Sequence, residues 1–334
     1  MIKNKKLNDP LDEIAIPSLF PRLNINHHSP TSLNYPDGIW FFRYGICTQE
    51  ERRMFDGNSM MAAGVAVNNA IQDYIADEIW KLNPLTKKLA KVKNEKLSKE
   101  DSLKKALNEY RKYKPCNDKD QEKFEHYLNT IPDTISHGYA ALQELGVSTA
   151  TICEDTLSLQ DERLLLPFVG RSDVETNNKP LSSSHPAENL LSRQVIEIKT
   201  SWQKLMKLKK DGTRSFSCAR LPSQPSKPHL AQIAFYATAR PKAEPKLLYL
   251  TADGYKIFTA NNCVEMKPEN LKKYYEQSVR TAMRRERLLS RYENINSIET
   301  IKAELVKDLD PQFDHNFYWN SGQMWVDRAK EIWS

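Results

Sequence analysis

The chain has 334 residues, 40% hydrophobic and 28% charged, which suits one large folded domain or two and excludes a disordered polymer. Its 49 Lys and Arg against 43 Asp and Glu leave a formal charge of +6, compatible with a polyanionic partner without demanding one. No apolar run reaches the roughly 18–20 residues of a membrane helix, and residues 1–10 are polar with no secretory core after them, so no membrane association is expected.

Residues 1–28 are polar and proline-punctuated and read as an irregular arm. A mainly helical part, 29–145, follows. Ser29-Pro30 has the form of an N-cap with proline at the first helical position, and Val67, Ile71, Tyr74, Ile75 and Ile79 extend a helical spacing from Ser59 to about Leu82. Residues 86–145 are rich in Lys and Glu and predict two or three solvated helices, one starting at Ser98-Lys99-Glu100-Asp101. Strand signals then occupy about 147–159, 164–176, 194–200, 246–251 and 254–259, the last two joined by the hairpin signal Asp253-Gly254. A helix is expected at about 228–240, and long polar loops at 177–193 and 210–227. The core is therefore placed at 146–262, followed by a helical C-terminal segment, 263–334, with an aromatic tail. The fold class expected is α/β, a small mixed β-sheet flanked by helices.

Chemistry concentrates in two strands. One ends Gly170-Arg171-Ser172-Asp173, and the next reads Val195-Ile196-Glu197-Ile198-Lys199-Thr200. Strand alternation turns Glu197 and Lys199 to one face and Ile196 and Ile198 to the other. Two charges in a Val/Ile-rich strand are costly to bury unless a metal or partner compensates them. Phosphodiester hydrolysis needs an in-line water and charge neutralisation, and Mg²⁺ is satisfied by one or two carboxylates plus waters and substrate. Asp173 and Glu197 would supply the carboxylates, the Ile198 carbonyl a third ligand, and Lys199 would orient the water. An exposed edge strand with a cross-strand ion pair is the structural alternative. On the following helix, Leu230, Ile233, Ala234 and Ala237 form an apolar stripe, and His229, Gln232 and Tyr236 form a second one beside it.

The order Gly-Arg-x-Asp, Glu-Ile-Lys-Thr, then Gln232-x-x-x-Tyr236 resembles the PD-(D/E)XK nuclease superfamily, within it the RecB-like branch with stand-alone phage exonucleases. The resemblance implies a restriction-endonuclease-like core and Mg²⁺ or Mn²⁺ on Asp173 and Glu197. It further implies water activation by Lys199, a bordering role for Gln232 and Tyr236, and Glu154 as an auxiliary acid. Asn68 and Asn69 stand where that branch has a histidine. Pro36-Asp37 stands where some members have the first cysteine of an iron–sulfur cluster. Cys47, Cys116, Cys153, Cys218 and Cys263 are scattered without a CxxC pair, so no cluster is expected and a reducing, cytoplasmic compartment is; the resemblance implies a bacterial or phage-infected cell.

The function expected is thus a Mg²⁺-dependent DNA nuclease, more in keeping with an exonuclease of recombination, repair or phage DNA processing than with a site-specific endonuclease. Arg171, Arg214, Arg220 and Arg284 are candidate phosphate contacts, and Tyr236 or Trp202 could stack on a frayed end. No P-loop is present, so ATP is not expected and a recombination or single-strand-binding partner would supply any coupling. The alternative is a nucleic-acid-binding or assembly protein that keeps the fold without turnover.

Overall fold

The computed structural model describes residues 19–48, 50–52, 58–82, 89–147, 151–176, 193–208, 214–314, 319 and 323–334. Within them the strands are β1 (Ala76–Leu82), β2 (Leu89–Lys93), β3 (Thr151–Leu159), β4 (Phe168–Thr176), β5 (Arg193–Thr200), β6 (Ala243–Thr251) and β7 (Gly254–Phe258). They form one mixed sheet in the order β2-β1-β3-β4-β5-β6-β7. The pairs β1–β3 and β5–β6 are parallel and the other neighbours antiparallel. The helices are α1 (Leu19–Arg22), α2 (Asp37–Phe41), α3 (Ser59–Ile75), α4 (Lys99–Tyr110), α5 (Asp118–Glu144), α6 (Lys227–Ala239), α7 (Pro268–Ser290), α8 (Ile298–Asp308) and α9 (Gln323–Trp333).

Alternation along β5 and β6 divides their apolar side chains between two cores. Ile196, Ile198, Leu248 and Leu250 pack with α3 and α5 on one face, and Val195, Leu247 and Tyr249 with α6 and α7 on the other. The architecture is α/β, a mixed sheet with helices on both faces. No helix among the described residues is long and apolar enough to cross a membrane.

Local chemistry sets several boundaries. Asn58 caps α3 by accepting from the Met61 N–H, and Ser98 caps α4 through the Asp101 N–H, as its motif predicts. The helical spacing read to Leu82 ends earlier: α3 stops at Ile75 and the chain runs directly into β1. A lone apolar residue at 79 fits either period, and pairing with β3 decides for the strand. The stretch 29–145, read as mainly helical, therefore contributes β1 and β2 as well as α3, α4 and α5. Ser29-Pro30 starts no α-helix; a 3₁₀ turn, Ser32–Asn34, lies there instead.

Residues 1–18 of the expected arm, and most of the polar loop at 177–193, lie outside the described residues. Residues 19–28 are not a loose arm. Leu19, Phe20, Leu23 and Ile25 are buried against Leu166, Leu289, Ile301 and Leu305. His28 makes a parallel bridge to the start of β4, donating its N–H to the Pro167 carbonyl and accepting from Val169.

Glu286 of α7 holds this junction. Its carboxylate accepts from the Leu165 N–H (2.9 Å) and the Leu166 N–H (2.8 Å), and lies 2.9 Å from His28 Nε2. Glu286→Ala leaves these donors buried without an acceptor and is expected to destabilise the fold by about 3 kcal/mol, measured by urea denaturation near pH 7.5. Burial lowers the His28 pKa below its ordinary 6.5, against the opposing pull of Glu286. The unfolded chain therefore takes up a proton first. This contribution to stability is complete above pH 6.5 and is lost as pH falls below it. His28→Gln should flatten that part of a stability–pH curve.

Candidate active site

β4 and β5 pair from Thr176↔Gln194 to Val174↔Ile196 and then part. At the same level the side-chain alternation of β3 and β4 reverses. Cys153 and Val174 belong to the α3/α5 core, whereas Leu157 and Phe168, which strict alternation would put on that face, lie in the α6/α7 core. The flanking pairs Cys153↔Val174 and Asp155↔Ser172 set Glu154 opposite Asp173. Glu154 adopts a left-handed backbone (φ 55°), a conformation that costs a residue with a β-carbon about 1–3 kcal/mol.

Asp173 sits at this crossing point, and its carboxylate lies along the sheet rather than in either core. Its Oδ2 accepts the Ile198 N–H at 2.6 Å, across the gap where β4 and β5 separate. The N–H and C=O of a strand residue share an edge, so the Ile198 carbonyl opens into the same gap.

Glu197 and Lys199 project from β5 towards α6. Glu197 is 2% exposed, and the Lys199 ammonium donates to its Oε1 and to Gln232 Oε1 (3.0 Å). Gln232 Nε2 donates to the Tyr236 hydroxyl (2.8 Å), which donates in turn to the Arg171 carbonyl. This chain of bonds needs α6 close to β4. Gly170 permits it, since a Cβ there would sit 2.9 Å from the Phe235 ring. The second stripe of α6 thus lies where its spacing predicts, beside the split in the sheet.

From the other face, α3 sends Gln72 Nε2 to Glu154 Oε1 (2.8 Å) and Asn68 Nδ2 to within 3.5 Å of Asp173 Oδ1. Neither contact is readable from the motifs alone. Asn68 is the residue standing in the histidine region of the resemblance, and Gln72 follows it by one helical turn.

Burial raises the Asp173 pKa well above the carboxylate range, and repulsion from Glu197 adds to the rise. Glu197 is raised too, chiefly by burial and partly by Glu154, although Lys199 pulls the other way. For Lys199, burial alone would lower the pKa, but the charges of Glu197 and Asp173 outweigh it and the pKa is raised, so the ammonium is retained. Burial, with the nearby Lys199 charge, lowers His229 to about 4, so it is neutral at physiological pH.

Glu197 Oε2 is buried and has no hydrogen-bond partner among the described residues. An orphaned carboxylate oxygen beside a second, repelling carboxylate and an open carbonyl fits a hard divalent cation, which takes oxygen ligands and keeps waters. Among the described residues no cluster of three or more His, Cys, Asp or Glu suited to a metal occurs. The candidate donors are therefore Asp173, Glu197 and the Ile198 carbonyl.

The arginines are placed differently. Arg171 and Arg220 are exposed. Arg214 Nη1 donates to Glu122 (3.0 Å), and Arg284 grips Asp37 with two bonds of 2.8 and 2.9 Å. Tyr236 is 1% exposed, which removes it as a stacking surface. Tyr236→Phe keeps the ring and deletes the bridge between Gln232 and the Arg171 carbonyl. It should leave the fold intact by circular dichroism and loosen Gln232 and, through it, Lys199, seen as greater side-chain mobility of both by NMR.

No family model matches the chain, and none of the curated proteins does. Among solved structures, the chain is similar to one described as the crystal structure of SSO0001, at 16% identity over 53% of this chain and 82% of that one, with a TM-score of 0.24. A likeness that loose carries no argument about function.

Proposed function

We propose that the protein is a metal-dependent deoxyribonuclease with a restriction-endonuclease-like core of the PD-(D/E)XK kind, acting on DNA ends in recombination, repair or phage DNA processing. One observation carries the reading: Asp173, Glu197 and Lys199 meet where β4 and β5 part, and a Glu197 oxygen is left buried with nothing to bind. A bound Mg²⁺ or Mn²⁺ would neutralise phosphoryl oxygens and make a water acidic enough to attack.

The chain's own groups do the rest. Asp173 is fixed by the Ile198 N–H, so its free oxygen has one direction. Lys199, charged and held by Gln232, donates rather than accepts. It orients the attacking water and offsets charge developing on the phosphoryl group, the electrostatic work that dominates such reactions. Tyr236 and Gln232 act as positioning residues through Lys199. A left-handed Glu154 facing Asp173 supports an auxiliary acidic role, since strained backbone is retained where it has a use.

The test is digestion of end-labelled linear DNA and of covalently closed circles, with Mg²⁺ or EDTA. Mg²⁺-dependent loss of linear DNA with circles spared supports the exonuclease. Rapid cutting of circles keeps the chemistry and overturns the preference for ends. Intact DNA with salt-sensitive binding would instead identify a binding module.

A further inference from the structure

One stripe of α3 changes character along its length. By helical geometry Met61, Val65, Asn68 and Gln72 fall within an arc of about 60°. The inner pair touch Asp173 and Glu154. The outer pair are apolar and exposed, Met61 by 48% and Val65 by 58%, and Met60 beside them by 46%. Exposed apolar residues grouped at the mouth of a cleft mark a binding surface more than a folding need.

Between this stripe and the end of β5 lies a cavity of about 360 Å³. Lys199 and Asn68 line it, together with Met61, Val65, Trp202 and His229. Gly64 keeps its floor open, because a Cβ there would stand 3.0 Å from Thr200 Oγ1. Trp202 is rigidly held: its Nε1 donates to Thr200 Oγ1 (3.1 Å) and its ring packs on Tyr127 at 5.0 Å. His229 is neutral and occupied, with Nδ1 2.6 Å from the Tyr249 hydroxyl. The cavity is thus cationic beside the carboxylates and apolar towards solvent.

A nucleotide has this same division, an anionic phosphate joined to a flat base whose faces are apolar. In a duplex the bases are stacked and paired, and only the backbone and groove edges reach outward, so an apolar cavity beside the phosphate site stays empty unless a base leaves the stack. We propose that the cavity receives an unstacked nucleobase adjoining the scissile phosphate, so that unpaired strand ends are the preferred substrate. The proposal rests on the nuclease reading. Methionine side chains adapt to any base, so the outer wall does not select among the four by shape.

The test is binding without turnover, with Ca²⁺ replacing Mg²⁺. Fluorescence anisotropy compares a short single strand, the same strand with abasic sites at its end, and a blunt duplex of equal length. The wild type is expected to bind the intact strand at least about tenfold more tightly than the abasic strand or the duplex. The double variant Met61→Ala, Val65→Ala, whose folding is checked by circular dichroism, should abolish that difference and leave abasic binding unchanged. Quenching of Trp202 fluorescence by the intact strand, absent with the abasic strand, gives a second readout. Equal affinities in the wild type, or a difference that survives in the variant, overturns the proposal. So does a variant that loses self-association or a protein contact while its base dependence persists. Base-dependent binding with no Mg²⁺-dependent cleavage of any substrate would sink the nuclease reading and leave this pocket standing. Cleavage with base-independent binding would do the reverse.

Discussion

Lys199→Ala and Asp173→Asn are both expected to remove Mg²⁺-dependent DNA degradation, with kcat falling about a thousandfold or more, yet to move stability in opposite directions. Lys199 supplies the hydrogen bond to Glu197 Oε1, while Oε2 is bare already. Truncating the lysine removes the cation that compensates this buried carboxylate, a loss of about 3 kcal/mol or more. Asparagine at 173 is nearly isosteric and keeps an acceptor for the Ile198 N–H, while removing a carboxyl whose ionised form burial and Glu197 disfavour. Metal-free Asp173→Asn protein should therefore be the more stable by about 1 kcal/mol, since site residues are kept at some expense of stability. Chemical denaturation in EDTA, run beside the digestion assay, reads both effects. Equal stabilities for the two variants would mean that the three groups are not electrostatically joined as described.

A divalent cation should reverse the order. At a hundredfold excess over its Kd, Mg²⁺ or Mn²⁺ is expected to stabilise the wild type by about 2.7 kcal/mol, visible as a rise of a few degrees in the thermal midpoint. Asp173→Asn and Glu197→Gln should each suppress most of this rise. Arg284→Gln, whose side chain is engaged with Asp37, should leave it unchanged. A rise that persists with both acids replaced would locate the ion elsewhere in the chain.

Much of the sheet was legible because β5 and β6 obey a simple rule: alternate residues alternate faces, and both faces are covered. The same rule misleads in β3 and β4, where Leu157 and Cys153 have equal parity but opposite surroundings. Nothing in the local residue types signals a left-handed Glu154, a conformation imposed by tertiary packing. Strand β1 was hidden by a helical spacing that continues past Ile75, and β2 by the Lys- and Glu-rich composition of the stretch that holds it. Burial of Leu19, Phe20, Leu23 and Ile25 was hidden because the residues they meet, Leu289 and Ile301 among them, are far away in sequence. In the candidate site, period paired Glu197 with Lys199 and Gln232 with Tyr236, and the motif resemblance brought the two pairs together. Asn68 and Gln72 could not, since their positions depend on how α3 crosses the sheet.

The reversal at Glu154 and Asp173 makes residue 173 a seam between two hydrophobic compartments, and neither compartment draws on its charge for cohesion. Such a seam would close as readily over an uncharged side chain. The acid could therefore be exchanged without loss of shape, so the outline of the fold says little about what the site does.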